Sequence, residues 1–494
     1  MSTKPELAKV PSKEQQGIEQ IDERALEPAA YMSDEERKAV ERKLKWKLDV
    51  RFSILIVIYI LNYIDRNNVS AARTKGLEED LGLQGREYDT LLSILYVGYI
   101  LMQIPSNFVV QYTGRPSIFL PAAVFVWGGI SVATGGTHSF GPALATRFLL
   151  GFVEAAFFPG ALMVLASWYK RSELGVRFTG LYCGSLISNA FGPLIAAGIL
   201  GTMEGKGGVR AWRWLFYIEG ALTMFFALVL AAMLPDFPHN SRGFSKRELE
   251  VAQLRMTEDV GAKDETKVSN WKALRMALLD YKLWVMALAF TSMTVGLSFN
   301  QFFPQITSTL GYGNTESLLL CAPPFAFAAI CAFAVSMHSD RVQERYLHIC
   351  IPLCIGIIGF IIAMTTSSFG PRYFSLFLMA QSYSGFVCFL AWVSSTFARP
   401  AMTRSVSLAF VNAFSQLGNV SGAYVYPKQW APSYKYSFAI AIGTFAACMI
   451  ISTFHRFDLQ RLNKKLAARD EARKNGEGEG LSVEDYPAGF RFVL

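Results

Sequence analysis

Residues 143–168 read ALATRFLLGFVEAAFFPGALMVLASW, an apolar stretch long enough to cross a bilayer, interrupted by Arg147 and Glu154. A charged side chain near a bilayer centre costs about 2.5–3.5 kcal/mol even on lenient insertion scales. Asp65 and Arg66 pose the same problem near the end of an earlier apolar segment. Two acids and two arginines at membrane depth point to a site that binds a small charged solute and moves protons.

The composition agrees. Of 494 residues 52% are hydrophobic and 17% charged, the balance of an integral membrane protein. A helical span needs about 20 mostly apolar residues. Twelve segments qualify: 50–71, 89–111, 117–136, 143–168, 176–200, 212–234, 284–309, 317–338, 347–366, 373–398, 404–426 and 434–454. The fold class expected is all-α, with twelve transmembrane helices.

Lys and Arg crowd alternate connections: Arg37 to Arg51, Lys170 to Arg177, the segment after position 234, Arg341 to Arg345, Arg399 to Arg404 and the tail from Arg456. Gly135–Phe140, Gly311–Ser317 and Ser367–Gly370 hold none, while Arg73–Arg86 and Lys206–Arg213 break the trend. The positive-inside rule then places both termini and the central linker in the cytoplasm. The net charge of +8 follows from topology, so no nucleic-acid partner is expected. The first 48 residues are polar and charged, and no cleavable signal peptide is expected. Ser33-Asp34-Glu35-Glu36 is a capping-box signal for a short helix, with Val40, Leu44 and Leu48 on one face, lying along the membrane surface. The seven cysteines (183, 321, 331, 350, 354, 388, 448) fall in or beside apolar spans. An odd number at that depth argues for buried thiols and against a disulfide framework.

The spans divide six and six: an N-terminal tail 1–48, a first half 49–234, a linker 235–280, a second half 281–456 and a tail 457–494. Near-equal halves suggest two pseudo-symmetric six-helix bundles related by an axis along the membrane normal. That is the plan of an alternating-access carrier with its site between the halves.

Arg147 and Glu154 are seven residues apart, so they share one helical face about 10 Å apart along the axis. Gly151 between them leaves room for a solute, and the bland alternative is a structural salt bridge. Asp65 lies only about 21 Å of rise from Arg51, short of a hydrocarbon core of about 30 Å, which keeps it at membrane depth. With no solute bound, Asp65 and Glu154 are expected to hold Arg66 and Arg147 in ion pairs. Protonating the acids frees guanidinium forks that suit a carboxylate. The five histidines (138, 239, 338, 348, 455) lie in loops or at helix ends without ligand spacing. No catalytic constellation, metal site or cofactor is expected.

Several motifs occur together: Asn62-Tyr63-Ile64-Asp65-Arg66-Asn67-Asn68, the Gly98 to Asn107 stretch, Arg147 to Ala155, Trp212-Arg213-Trp214-Leu215-Phe216-Tyr217-Ile218-Glu219-Gly220 and Gly418-Asn419. In combination, over about residues 45–460, the chain resembles the major facilitator superfamily, and within it the anion:cation symporter group of fungal allantoate and nicotinate permeases. The resemblance implies uptake of a small carboxylate with protons, at the plasma membrane, by a monomer. It implies Arg66 and Arg147 as anion ligands and Asp65 and Glu154 as proton carriers. Tyr63, Tyr99, Trp392 and Asn412 would complete the pocket, and Glu219 would be structural or gating. Asp340, Arg341 and Arg345 would clamp the cytoplasmic gate. The first-half loop departs from the superfamily signature in lacking its Asp-Arg. Before Trp392, Phe389-Leu390-Ala391 replace the polar residues of members that carry hydroxylated substrates, which favours a less hydroxylated or aromatic carboxylate. Export by proton antiport is the alternative function.

Overall fold

A computed structural model describes residues 32–261, 270–397, 401–474 and 489–494. The expected tail through position 31, linker positions 262–269, the turn at 398–400 and tail positions 475–488 lie outside these residues. Twelve helical segments form the bundle: α1 Asp34–Arg73, α2 Glu87–Thr113, α3 Pro116–Gly135, α4 Phe140–Trp168, α5 Arg171–Thr202, α6 Ala211–Met233, α7 Tyr281–Ser308, α8 Asn314–Val342, α9 Tyr346–Thr365, α10 Phe369–Thr396, α11 Ala401–Gly422 and α12 Lys435–Lys474. Eight are long and apolar enough to cross a membrane on composition alone. The others, α1, α2, α5 and α11, carry polar side chains such as Asp65, Gln103, Asn189 and Asn419. The chain is an all-helical, multi-pass membrane protein.

The packing repeats with a six-helix shift. In the first half α1 packs on α5 and α6, α2 on α4, and α3 on α4 and α6. In the second, α7 packs on α11 and α12, α8 on α10, and α9 on α10 and α12. The halves meet through α5 with α8 and α2 with α11, pairs that exchange under the same shift. Each half is therefore one copy of a single six-helix plan.

Two helices run past their apolar spans. The Ser33 side chain caps α1, accepting from the Glu36 amide at 3.3 Å, but no separate surface helix follows. With no Gly or Pro between Leu48 and Phe52, the amphipathic segment continues directly into the span. Similarly, α12 continues through Lys474, into the sequence expected as tail. Other helices are broken. α4 is interrupted after Glu154 and resumes at Phe157, α10 is interrupted at Gln381-Ser382, and α7 contains a 3-10 turn, Ser298–Phe302. Membrane helices tolerate such breaks where neighbours or a cavity satisfy the freed backbone groups.

The two ends of the bundle differ. At the end remote from the linker, hydrogen bonds join the halves. Gln305 Nε2 donates to the Ser70 carbonyl at 2.8 Å, Asn314 Nδ2 to the Thr74 carbonyl at 2.7 Å, and Lys428 pairs with Glu78 at 3.1 Å. At the linker end, a linker helix (Lys246–Gly261) is clasped to the first half. Lys47 pairs with Glu248 at 3.0 Å and Lys45 with Glu173 at 2.6 Å. The fully buried Arg255 reaches Glu41 at 3.2 Å and also Glu173.

Close approach of α2 and α4 depends on two glycines. A Cβ at Gly151 would lie 1.9 Å from the Leu95 carbonyl oxygen, and one at Gly98 would lie 2.3 Å from that of Phe148. The space beside Gly151 is therefore filled by the α2 backbone, not left for a solute. Gly151→Ala is expected to cost about 1–3 kcal/mol in overpacking and to lower the thermal midpoint of the purified protein. Gly129→Ala, whose Cβ meets nothing within 4 Å, leaves the midpoint unchanged.

The linker clasp carries a pH signature. Burial pushes Glu173 up, but the Lys45 hydrogen bond and the Arg255 charge outweigh it and leave Glu173 below its ordinary value. Glu41 is lowered by the same balance. A depressed carboxylate stabilises the fold fully above its unfolded value and loses that contribution as pH falls through its folded one. The midpoint difference between the wild type and Glu173→Gln is thus expected to be flat above about pH 5 and to shrink below about pH 4.

Candidate functional site

The site is built on α1 and α4 near the break in α4. Arg66 Nε donates to Glu154 Oε2 at 2.7 Å. Its guanidinium lies over the rings of Tyr63 and Tyr99, 5.2 and 4.7 Å from their centroids. One carboxylate and two aromatic faces thus fix the fork. Arg147, only 2% exposed, has no such partner. Its NH2 donates to the Arg66 carbonyl at 3.1 Å and its NH1 to the Asp65 carbonyl at 3.5 Å, while its Nε is unpartnered. Among the described residues no carboxylate lies within ion-pair distance of Arg147. The Asn62 amide also faces the Glu154 carboxylate, whose Oε1 has no partner in good hydrogen-bond geometry. A narrow cavity, with room for about one water, lies here, lined by both arginines with Asn67, Ser70, Leu92, Leu95, Tyr96 and Gln301.

The expected pairing of Asp65 with an arginine is not formed. Consecutive helical residues point about 100° apart, so with Arg66 in the cavity Asp65 turns towards α3 and α6. Its carboxylate accepts from Trp127 Nε1 at 2.6 Å, Ser131 Oγ at 3.1 Å and Thr223 Oγ1 at 3.3 Å. Glu219 is buried in the same region, and its Oε2 accepts from Asn68 Nδ2. Its other oxygen has no partner. The acids therefore occupy two places: Glu154 at the cavity, and Asp65 with Glu219 in the helix interface behind it.

Of the remaining expectations, Tyr63 and Tyr99 flank Arg66 as described. Trp392 does not close the pocket. It is fully buried in the second half, with Nε1 donating to the Val493 carbonyl at 3.1 Å and its ring edge-on to Phe389 and His455. Phe389 stacks on Phe290 at 4.8 Å and so faces the second-half core. The α10 aromatic near Tyr63 and Tyr96 is Tyr383, about two and a half turns earlier and so on the opposite face. Asn412 is half-buried and lines neither described cavity. Asp340 pairs with Arg345 at 2.6 Å between α8 and α9, and Arg341 is exposed. That clasp lies within one half rather than across a gate.

Reading from sequence missed Trp127, Ser131 and Thr223 as partners of Asp65, and Tyr96 and Gln301 in the cavity wall. Trp127 and Ser131, four apart on one face of the apolar α3, were the available signal.

A family model described as Major Facilitator Superfamily matches residues 55–423. The chain is 33% identical over 478 residues to the MFS-type transporter cnsO of Penicillium expansum, covering 92% of this chain and 91% of that one. It superposes on a bacterial homolog of the human lysosomal transporter Spinster, solved inward-facing and unoccupied, with a TM-score of 0.62, 18% identity and coverage of 86% and 96%. Against a D-xylose-proton symporter the TM-score is 0.60, at 15% identity and coverage of 81% and 96%. At these identities the solved structures speak for the fold alone.

The geometry separates two aromatic residues. Tyr99→Ala removes a face that holds Arg66 and is expected to raise the KM of transport severalfold, whereas Trp392→Phe leaves KM unchanged. Initial-rate kinetics in cells with matched surface expression tests both.

Proposed function

This chain belongs to the Major Facilitator Superfamily and is a multi-pass membrane transporter, and on that premise we propose that it carries a small organic anion, a carboxylate, together with protons by alternating access. The observation behind this reading is the charge of the cavity. Arg66 and Arg147 line it, and among the described residues Glu154, on Arg66, is the one carboxylate in ion-pair contact with either. A solute carboxylate supplies the missing negative charge, and the Arg147 guanidinium, which lines the cavity and has no carboxylate of its own, is the group that takes it.

Glu154 couples the proton. Ionised, it holds Arg66; once protonated, it releases the guanidinium to the entering anion. The loaded site then carries little unpaired charge, which favours occlusion in a low-dielectric bundle. Asp65 and Glu219 are a second buried acid region reached through α1. Two carboxylates there without a cation favour retention of a proton by one of them.

Orientation belongs to the same reading. Lys and Arg on the linker side put that end and both termini in the cytoplasm, and the carrier works as a monomer in the plasma membrane. The sealed remote end is then the outer gate.

Uptake of radiolabelled nicotinate, allantoate, pantothenate, biotin and a hexonate into expressing cells, at about pH 5 and about pH 7.5 to span carboxylate titration, tests this. One anion is expected to accumulate faster at acid pH. Arg147→Ala should lower that uptake by about 10- to 100-fold, the worth of a charge-assisted hydrogen bond. Glu154→Gln should retain exchange and lose acid stimulation. Acid-stimulated uptake unchanged in Glu154→Gln overturns its role. Acid-dependent efflux of a panel compound, with no uptake, makes the protein an exporter.

A further inference from the structure

The arginine pocket fills only part of the free space around α1. A second small cavity, with room for about two waters, lies on the adjoining face of this helix, and Asn67 and Ser70 line both. Among the described residues, no charged side chain lines the second space. Its polar surface consists mainly of amides, Asn67 and Asn68 of α1, Asn189 of α5 and Asn300 of α7, with aromatic walls from Phe303 and Phe325.

These amides form a network. Asn67 Nδ2 donates to Asn189 Oδ1 at 2.8 Å, and Asn300 Nδ2 donates to the same oxygen at 3.4 Å. An asparagine has two donor hydrogens and one acceptor oxygen. Asn67 Oδ1 and Asn189 Nδ2 make no hydrogen bond to the described protein, and neither is a sealed orphan atom. Exchanging oxygen and nitrogen in both amides preserves their mutual bond and still leaves one free acceptor and one free donor. The surface thus offers a donor–acceptor pair whichever way the amides point.

We propose that this cavity is the subsite for the uncharged portion of the substrate, and that the substrate is a carboxylate joined to a neutral group that both donates and accepts hydrogen bonds, as an amide does. This rests on the anion reading above and narrows it. A second carboxylate is disfavoured, because no cation is present to pair with it and burying it would be costly. A plain hydrocarbon body is disfavoured because it would strand the free amide groups. The subsite also spans the halves, since Asn67 and Asn189 belong to the first and Asn300, Phe303 and Phe325 to the second. A bound ligand therefore bridges elements that must part when the carrier opens.

The test uses three probes of matched length: N-acetylglycine, 4-oxopentanoate, which lacks its N–H, and pentanoate, which lacks both polar groups. Affinities are read from ligand-dependent thermal shifts of the purified protein. N-acetylglycine is expected to bind roughly three- to tenfold more tightly than either analogue, the worth of a neutral hydrogen bond. In Asn189→Ala that preference collapses while pentanoate affinity holds, and Asn189→Ser serves where Ala impairs folding. Equal affinities in the wild type, no binding by any probe, or a preference intact in both variants overturns the subsite. Arg147→Ala separates this from the anion reading. Loss of all three probes supports the anion site whatever the amide result, and retention of all three sinks it.

Discussion

A guanidinium buried in a helix bundle without its own carboxylate is the constraint around which the site is arranged. Burying a charge is costly unless it is paired and hydrogen-bonded. Arg147 is held by carbonyls of α1 that already serve the helix ladder and accept through a second lone pair. That contact requires α4 to lie close against its neighbours, which Gly98 and Gly151 permit by letting the α2 and α4 backbones meet. The break after Glu154 then ends the regular helix at the carboxylate that holds Arg66. Helix packing, helix interruption and charge placement are thus parts of one arrangement, which leaves Arg147 at the cavity without a carboxylate of its own.

The scaffold is symmetric and its chemistry is not. Helix pairings repeat with a shift of six, yet Asp65, Arg66, Arg147, Glu154 and Glu219 all lie in the first half. The second half contributes Asn300, Gln301 and aromatic walls to the two cavities. The charged groups thus come from the first half alone, whereas the amides of the second cavity come from both halves. The breaks in α4 and α10 occupy equivalent places in the repeat, but only the first has a carboxylate at it. Gln381, at the second, donates to the Pro352 carbonyl at 2.7 Å instead.

Much of this was legible in the sequence. Membrane spans and the six-plus-six division follow from apolar length, and Arg147 with Glu154 stands out because charge is costly there. What failed depended on helix phase and neighbours. Asp65 and Arg66 are adjacent in sequence, so one of them had to face away from the cavity, and only packing against Trp127 and Thr223 decides which. Trp392 and Tyr383 share the α10 segment after its interruption but stand nine residues apart, about 900° of helix, so they face opposite ways and Trp392 turns into the second-half core. Gly151 read as space for a solute because the sequence does not show that Leu95 is its neighbour. The amide network joins positions far apart in the chain, Asn67, Asn189 and Asn300, and none of them is unusual alone.

The central claim is that the cavity lacks one negative charge and that a carboxylate supplies it. The most direct measurement is equilibrium binding of nicotinate and nicotinamide to the purified protein, a pair alike in shape and different in charge. Repeating it with Gln301→Glu places a carboxylate in the same cavity wall. The acid is expected to bind at least about tenfold more tightly than the amide, and Gln301→Glu to abolish the difference. Equal binding of acid and amide, or a preference that survives the added carboxylate, would contradict it.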